Sequence, residues 1–399
     1  MSAFLPYGRQ SITDEDIRAV TGALQSDYLT CGPLIEQFEQ RLADYVGAKH
    51  AIVVANATVA LHFAMIIAKV GPGDRVITSP NTFLSSANCA AFTGATPDFC
   101  DIDPQTYNID AQQLRENWKP DTKAVVAVAY AGQSCDMPAI SAVAKENGAV
   151  VIEDGCHGTG GGFEYQGEHY MIGGHPWADI TTFSFHPVKT LTTGEGGVLL
   201  TNHDGYAEEA RLLRAHGVER RRDKFKGFGT SDPVLEERGP WVYEMQSLGY
   251  NGRITDLQCA LGLTQLERLP QFITRRQEIV ATYNSAFSAL EFIQTPKLRN
   301  SKDQNITSWH LYTALFDFKN IGKSRSEVMA CLREHGVGSQ VLYIPVHLQP
   351  WYRENYGYSA GKCSNAEEYY RRCLSLPLYP AMTDADIDKV IQSVAQIVS

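Results

Sequence analysis

From Ala51 onward the chain alternates short, almost wholly apolar runs with helix-length segments, and that rhythm leaves few folds open. The runs cover residues 51–55, 75–78, 124–130, 150–153, 180–185 and 198–201, with helical patterns between several of them, notably over 58–69 and 138–147. A run that is apolar at every position is buried on both faces. The expectation is therefore an α/β fold with a mostly parallel sheet covered by helices on each side. Such sheets bind ligands beyond the carboxyl ends of their strands. Asn56, Asp154 and Ser184 all fall just past such ends.

The flanking regions read differently. Thr13-Asp14-Glu15-Asp16 forms a capping-box pattern, and Ile17, Val20 and Leu24 follow at helical spacing. A turn-like link over 29–33 leads to a second helix carrying Ile35, Phe38 and Leu42. Residues 220–240 are polar and rich in Gly, Arg and Lys, which predicts a long loop and a candidate lid. One helix is expected after Thr255-Asp256, carrying Leu257, Leu261, Leu266 and Leu269, and another through Phe272, Ile279, Tyr283 and Phe287. Past residue 300 the pattern mixes strands at 311–316 and 339–344 with helices at 325–335 and from Thr383. A length of 399 residues allows two cores. The expected division is a large domain over 1–250, N-terminal arm included, and a smaller α+β domain with its linking helices over 251–399.

A net charge of −10 argues against a nucleic-acid surface and means that an anionic ligand needs discrete local donors. No apolar run is long enough to span a membrane, and the first residues lack the basic start and apolar stretch of a signal peptide. Nine cysteines without C-x-x-C or metal-type spacing suggest reduced thiols in a cytoplasmic enzyme and no metal. Cys89, Cys156 and Cys259 sit in apolar runs and read as small buried hydrophobes.

The chemistry concentrates around Lys189. It follows the strand at 180–185 and precedes Gly194-Glu195-Gly196-Gly197, and Asp154 ends the strand at 150–153. A lysine is ordinarily a solvated loop residue, and an aspartate ordinarily caps a turn. Placed together at strand ends, the two suit pyridoxal phosphate (PLP): the amine bonds covalently to its aldehyde, and the carboxylate keeps its ring nitrogen protonated. The N–H groups of Ala57 and Thr58 open a helix where a phosphate binds well, or Asn56 or Thr58 merely caps it. Ser184 could add a hydroxyl to that phosphate. Phe83 either stacks on a flat ring or belongs to the core. His157 either bonds nearby or only packs. The run His157-Gly-Thr-Gly-Gly-Gly162 has neither a partner nucleophile elbow nor dinucleotide-fingerprint spacing, so lipase and nucleotide-fold readings fall away.

Together these residues resemble the sugar aminotransferases of the DegT/DnrJ/EryC1/StrS family, within the fold-type I PLP enzymes. The likeness runs from Tyr7-Gly-Arg9 through Leu29–33, Asn56-Ala57-Thr58, Glu153-Asp154-Gly-Cys-His157, Phe183-Ser-Phe-His-Pro-Val-Lys189 and Leu248-Gly-Tyr-Asn251-Gly-Arg253 to Tyr343-Ile-Pro-Val-His347. The resemblance implies PLP on Lys189, L-glutamate as amino donor and a nucleotide-linked keto-sugar as acceptor. It also implies a homodimer in which Asn251 reaches the cofactor phosphate of the neighbouring subunit. Tyr7, the Asp27-Tyr28-Leu29-Thr30 link, Ala57, Ser184, Arg253 and Tyr343 are then expected to line the sugar-nucleotide site. Ser184-Phe-His-Pro-Val-Lys189 looks like the branch acting at C4 of a UDP-linked 4-keto-6-deoxy amino sugar in pseudaminic acid biosynthesis. Some relatives are dehydratases with histidine at the lysine position; this chain keeps Lys189. Gly252 and Ala57 depart from the family pattern, where a bulkier residue and a glycine respectively are frequent.

Overall fold

The computed structural model describes residues 4–227 and 239–398. Its centre is a seven-stranded sheet in the order β1-β9-β8-β5-β4-β2-β3. The strands are β1 (His50–Val54), β2 (Arg75–Thr78), β3 (Thr96–Phe99), β4 (Thr122–Val128), β5 (Val150–Asp154), β8 (Ile180–Ser184) and β9 (Gly197–Thr201), with a separate hairpin of β6 (Gly162–Tyr165) and β7 (Glu168–Met171). β3, β2, β4, β5 and β8 pair in parallel, whereas β9 pairs antiparallel with both β8 and β1. The reason is the short return over 185–196, which contains no crossover helix and so turns the chain straight back. Its effect is to leave β1, β2, β4, β5 and β8 pointing their carboxyl ends the same way.

Helices α1 (Asp14–Leu24), α2 (Pro33–Val46), α3 (Ala57–Ile67), α4 (Ser85–Phe92), α5 (Ala111–Glu116), α6 (Met137–Glu146) and α7 (Asp204–Arg214) surround the sheet. Three apolar clusters cover its faces, one around Ile52, Phe63, Val126 and Ile180, a second around Phe38, Phe183, Val198 and Leu266, and a third around Ile77, Val125, Ile140 and Val151. The expected capping box at Thr13 is present, but Asp16 is fully buried and bonds Arg268, Gln265 and Thr264 as well. The cap therefore also ties α1 to the helix that carries Thr264, Gln265 and Arg268.

The two helices expected after Asp256 are one: α8 (Asp256–Phe287), 32 residues long with Pro270 inside it. Pro270 is exposed, so its missing N–H falls on the solvent side. β10 (Val218–Glu219) and β11 (Glu244–Met245) form a short ribbon that flanks the predicted 220–240 loop; the turn over Arg222–Lys224 lies within that loop, and its residues 228–238 lie outside the described residues. A second sheet joins β12 (Ile293–Gln294), β13 (Tyr312–Phe316) and β14 (Cys373–Leu376) over its own core of Tyr283, Phe287, Tyr312 and Val394. The expected strand over 339–344 is instead an extended segment with one bridge, Gln340 to Ser375. The N-terminal arm reaches this sheet's core: Leu5 is buried there and exchanges backbone hydrogen bonds with Gly336 and Gly338. No helix among the described residues is long and apolar enough to cross a membrane.

Candidate active site

At the carboxyl edge of the large sheet lies a cavity of about 490 Å3. β1 delivers Asn56, whose side chain accepts the Val59 N–H and caps α3. The N–H groups of Ala57 and Thr58, next in line, meet no acceptor among the described residues. Ser184 ends β8 and Asp154 ends β5, and both face the cavity.

Lys189 sits in the return between β8 and β9. The loop is held by its own bonds: Phe185 N–H to Gly196, Thr193 N–H and Thr192 Oγ1 to Phe185, and Lys189 N–H to His186. Gly194 adopts the left-handed conformation that lets the chain turn there. The Lys189 amine projects into the cavity, and desolvation pulls its pKa below the usual lysine value against the opposing pull of Cys156 and Asp154.

Asp154 is buried and anchored on both oxygens. Ser86 Oγ donates to Oδ2 at 2.6 Å, and the Cys156 N–H donates to Oδ1 at 3.1 Å. His157 both bonds and packs. Its Nδ1 accepts the Ala131 N–H at 3.3 Å, which puts the ring proton on Nε2, 3.2 Å from the Tyr343 hydroxyl. The His157 and Tyr343 rings stack with centroids 6.1 Å apart. Burial, and then the Lys189 charge, hold His157 neutral, its pKa well below the usual histidine range. Burial pushes the Tyr343 and Tyr7 phenols up. Phe83 stands at the mouth, 57% exposed, 6.2 Å from the Tyr343 ring.

Of the fifteen predicted positions the cavity gathers nine: Tyr7, Ala57, Thr58, Phe83, Asp154, His157, Ser184, Lys189 and Tyr343. Six others lie outside it. Asp27, Tyr28, Leu29 and Thr30 are exposed between α1 and α2, with Thr30 bridged to Thr255. Asn251 is exposed and bridged to Ala215, and Arg253 is half-buried. The basic stretch at 220–226 is also outside: Arg221 pairs with Glu219 at 2.6 Å, Lys224 pairs with Glu208, and Arg220 lies over the Tyr243 ring. Cys89 and Cys259 are buried as expected, but Cys156 is only partly buried, because it lines the cavity. Gly252 has a packing reason: a Cβ there would stand 2.9 Å from Phe63 and 3.0 Å from Val59.

Sequence reasoning missed Thr82, Ser85 and Ser86. Thr82 bonds Ser86 at 2.7 Å, and Ser85 bonds Thr58 at 2.7 Å. Their signal was a cluster of hydroxyls just past β2, inside an otherwise apolar helix start.

The DegT/DnrJ/EryC1/StrS aminotransferase family matches residues 10–395. The spore coat polysaccharide biosynthesis protein SpsC of Bacillus subtilis is 44% identical over 99% of this chain and 97% of its own. Among solved structures, Helicobacter pylori PseC, an aminotransferase of pseudaminic acid biosynthesis, aligns over 99% of both chains with a TM-score of 0.87 at 28% identity. The PLP form of the Streptococcus pneumoniae sugar aminotransferase Spr1654 aligns over 99% of this chain and 98% of its own, with a TM-score of 0.86 at 26% identity. The chain belongs to the DegT/DnrJ/EryC1/StrS aminotransferase family and is a PLP-dependent aminotransferase.

Proposed function

We propose that this enzyme is a sugar aminotransferase that moves the amino group of L-glutamate to C4 of a UDP-linked 4-keto-6-deoxy amino sugar, in pseudaminic acid or related surface-glycan biosynthesis. The observation that carries the aminotransferase chemistry is a single cavity holding Lys189, Asp154 and the unpaired N–H groups of α3. The choice of a sugar is supported by the likeness to SpsC and PseC.

The donor set fits PLP group by group. Lys189 would bond the aldehyde carbon, Asp154 would pair with the ring nitrogen, and Ala57, Thr58 and Ser184 would hold the phosphate. Phe83 would cover one ring face, and His157 would lie against the ring edge. Bound there, PLP supplies an electron sink for breaking a C–H bond beside the amine. The chain's part is to manage that proton. Lys189, with its pKa drawn down by desolvation, is free of its own proton at a lower pH than a surface lysine, so it can take and return the proton at the amino-bearing carbon.

Tyr7 and Tyr343 are assigned to the sugar from within the chain. Asn251, Arg253 and the 27–30 link lie outside this chain's own cavity, and we assign them to the site of the partner in a homodimer. The division into residues 1–250 and 251–399, and a cytoplasmic location, belong to the same proposal. Retention of Lys189 favours transamination over dehydration.

Incubation with glutamate and keto-sugars carried on UDP, dTDP and GDP tests the proposal, read by 2-oxoglutarate release and product NMR. Preferred turnover of the dTDP or GDP substrate, or an amine at C3, overturns the substrate. Sugar turnover without glutamate consumption overturns transamination.

A further inference from the structure

Asp154 is served by a hydrogen-bond chain that runs in one direction. An ionised carboxylate can only accept, so the single Ser86 proton, 2.6 Å from Asp154 Oδ2, is committed to it. Ser86 Oγ is then left as an acceptor, and Thr82 Oγ1, 2.7 Å away, donates to it. All three residues are buried, Ser86 at 0%, Thr82 at 2% and Asp154 at 4% exposure. Water therefore cannot replace either hydroxyl without a rearrangement. The backbone fixes the chain's start: Ser86 lies in the first turn of α4, its own N–H bonded to the Phe83 carbonyl, so Ser86 and the aromatic at the cavity mouth are set by one turn.

The remaining groups facing Asp154 do not substitute for this chain. They are the Lys189 amine, the Cys89 and Cys156 thiols and the Tyr343 phenol. Burial pushes both thiols and the phenol towards their neutral forms, and although the Cys156 thiol lies against Asp154, its hydrogen bond goes to the Thr182 carbonyl at 3.9 Å, so Ser86 makes the one short side-chain hydrogen bond to an Asp154 oxygen among the described residues. Only the Cys156 main-chain N–H shares the load, on the other oxygen. A carboxylate taken out of water needs donors on its lone pairs, and the Ser86 hydroxyl on Oδ2 complements the backbone donor on Oδ1, so the plane of the carboxyl is fixed from both sides.

We infer that Ser86, backed by Thr82, is a positioning residue that holds the Asp154 carboxylate turned so that its free lone pairs face the cavity and the cofactor's ring nitrogen. This rests on the proposed pairing of Asp154 with the cofactor's ring nitrogen. Neither hydroxyl touches the reacting atoms; both act through Asp154.

The test is a double-mutant cycle on the PLP-loaded enzyme with Ser86→Ala, Asp154→Asn and the two combined, and with Thr82→Val as an isosteric second probe. Ser86→Ala is expected to lower kcat roughly tenfold, the size of a hydrogen bond to a charged group, with little change in KM for glutamate. It is also expected to shift the pH midpoint of the visible absorbance of the bound cofactor. Thr82→Val should move both readouts the same way by less. In the Asp154→Asn background Ser86→Ala should cost almost nothing further, because its target charge is gone. A loss of equal size in both backgrounds, or an unmoved absorbance midpoint in Ser86→Ala, overturns the inference. If Asp154→Asn is itself near normal, the pairing of Asp154 fails instead, which separates the two failures.

Discussion

Gly197 and Ala57 touch backbone to backbone: a Cβ built on Gly197 would stand 2.6 Å from the Ala57 nitrogen. Gly197 opens β9 and Ala57 opens α3, so the last glycine of the lysine loop presses against the unpaired end of the helix. Gly197→Ala should push that helix start aside. The expected result is at least tenfold weaker PLP binding with the fold retained, since overpacking of this kind costs about 1–3 kcal/mol. Gly205→Ala, in α7 with open space around it, is the matched control and should be neutral or stabilising by about 0.5–1 kcal/mol. Fluorescence titration of the stripped enzyme with PLP checks both; equal affinities would contradict the steric argument.

Lys189 is expected to carry the cofactor. Borohydride treatment of the loaded enzyme should abolish its visible absorbance and leave a PLP adduct on the peptide containing Lys189. Lys189→Ala should lose turnover by orders of magnitude while keeping its melting temperature within a few degrees. Retained transamination in that variant would refute the assignment.

The His157 and His310 rings lie with centroids 4.4 Å apart, their planes tilted by 44°, and burial holds both well below the ordinary histidine pKa. Above about pH 6.5 both the folded and unfolded states carry them neutral, so they do not alter stability there. Below it the unfolded chain takes up protons that the folded one does not. Each histidine then removes about 1.4 kcal/mol per pH unit. His310→Gln should therefore flatten the fall of melting temperature between pH 6.5 and 5 in the cofactor-free protein. An unchanged slope would show that other groups govern acid sensitivity.

Subunit mixing tests the assignment of Asn251 to a neighbour's site. Lys189→Ala and Asn251→Ala proteins, each inactive alone, should regain activity when exchanged, with one intact site per mixed dimer. Recovery should approach a quarter of wild-type activity at statistical exchange, since roughly half the dimers are mixed. No recovery after verified exchange would place Asn251 in its own chain's chemistry.

How much of this could be read beforehand depended on the range of the interaction. Strands such as β5 and β8 were legible because burial on both faces leaves an unbroken apolar run. β3 was not, because Thr96-Pro97-Asp98-Phe99 at the sheet edge carries a proline and a charge. β14 was missed because its Cys373-Leu-Ser-Leu376 sequence takes its strand character from pairing with β13, far away in the chain. The single helix α8 read as two because Pro270 is a breaker in sequence but sits on the solvent face in space. In the site, the placement of Lys189 and Asp154 just past strand ends, at one cavity, was legible. Ser86 was not, since its partner is 68 residues downstream and the cluster of hydroxyls around it reads equally well as an ordinary helix start.

The threading of the N-terminal arm sets an order on biosynthesis. Tyr7 forms part of the cavity wall, yet it is moored by residues made late: Leu5 to Gly336 and Gly338, and the Tyr7 carbonyl to the Leu378 N–H. A nascent chain can complete the large sheet, with Lys189 and Asp154 in place, long before those moorings leave the ribosome. The arm must wait for partners far downstream of it, so the wall that Tyr7 closes is completed only after the sheet behind it.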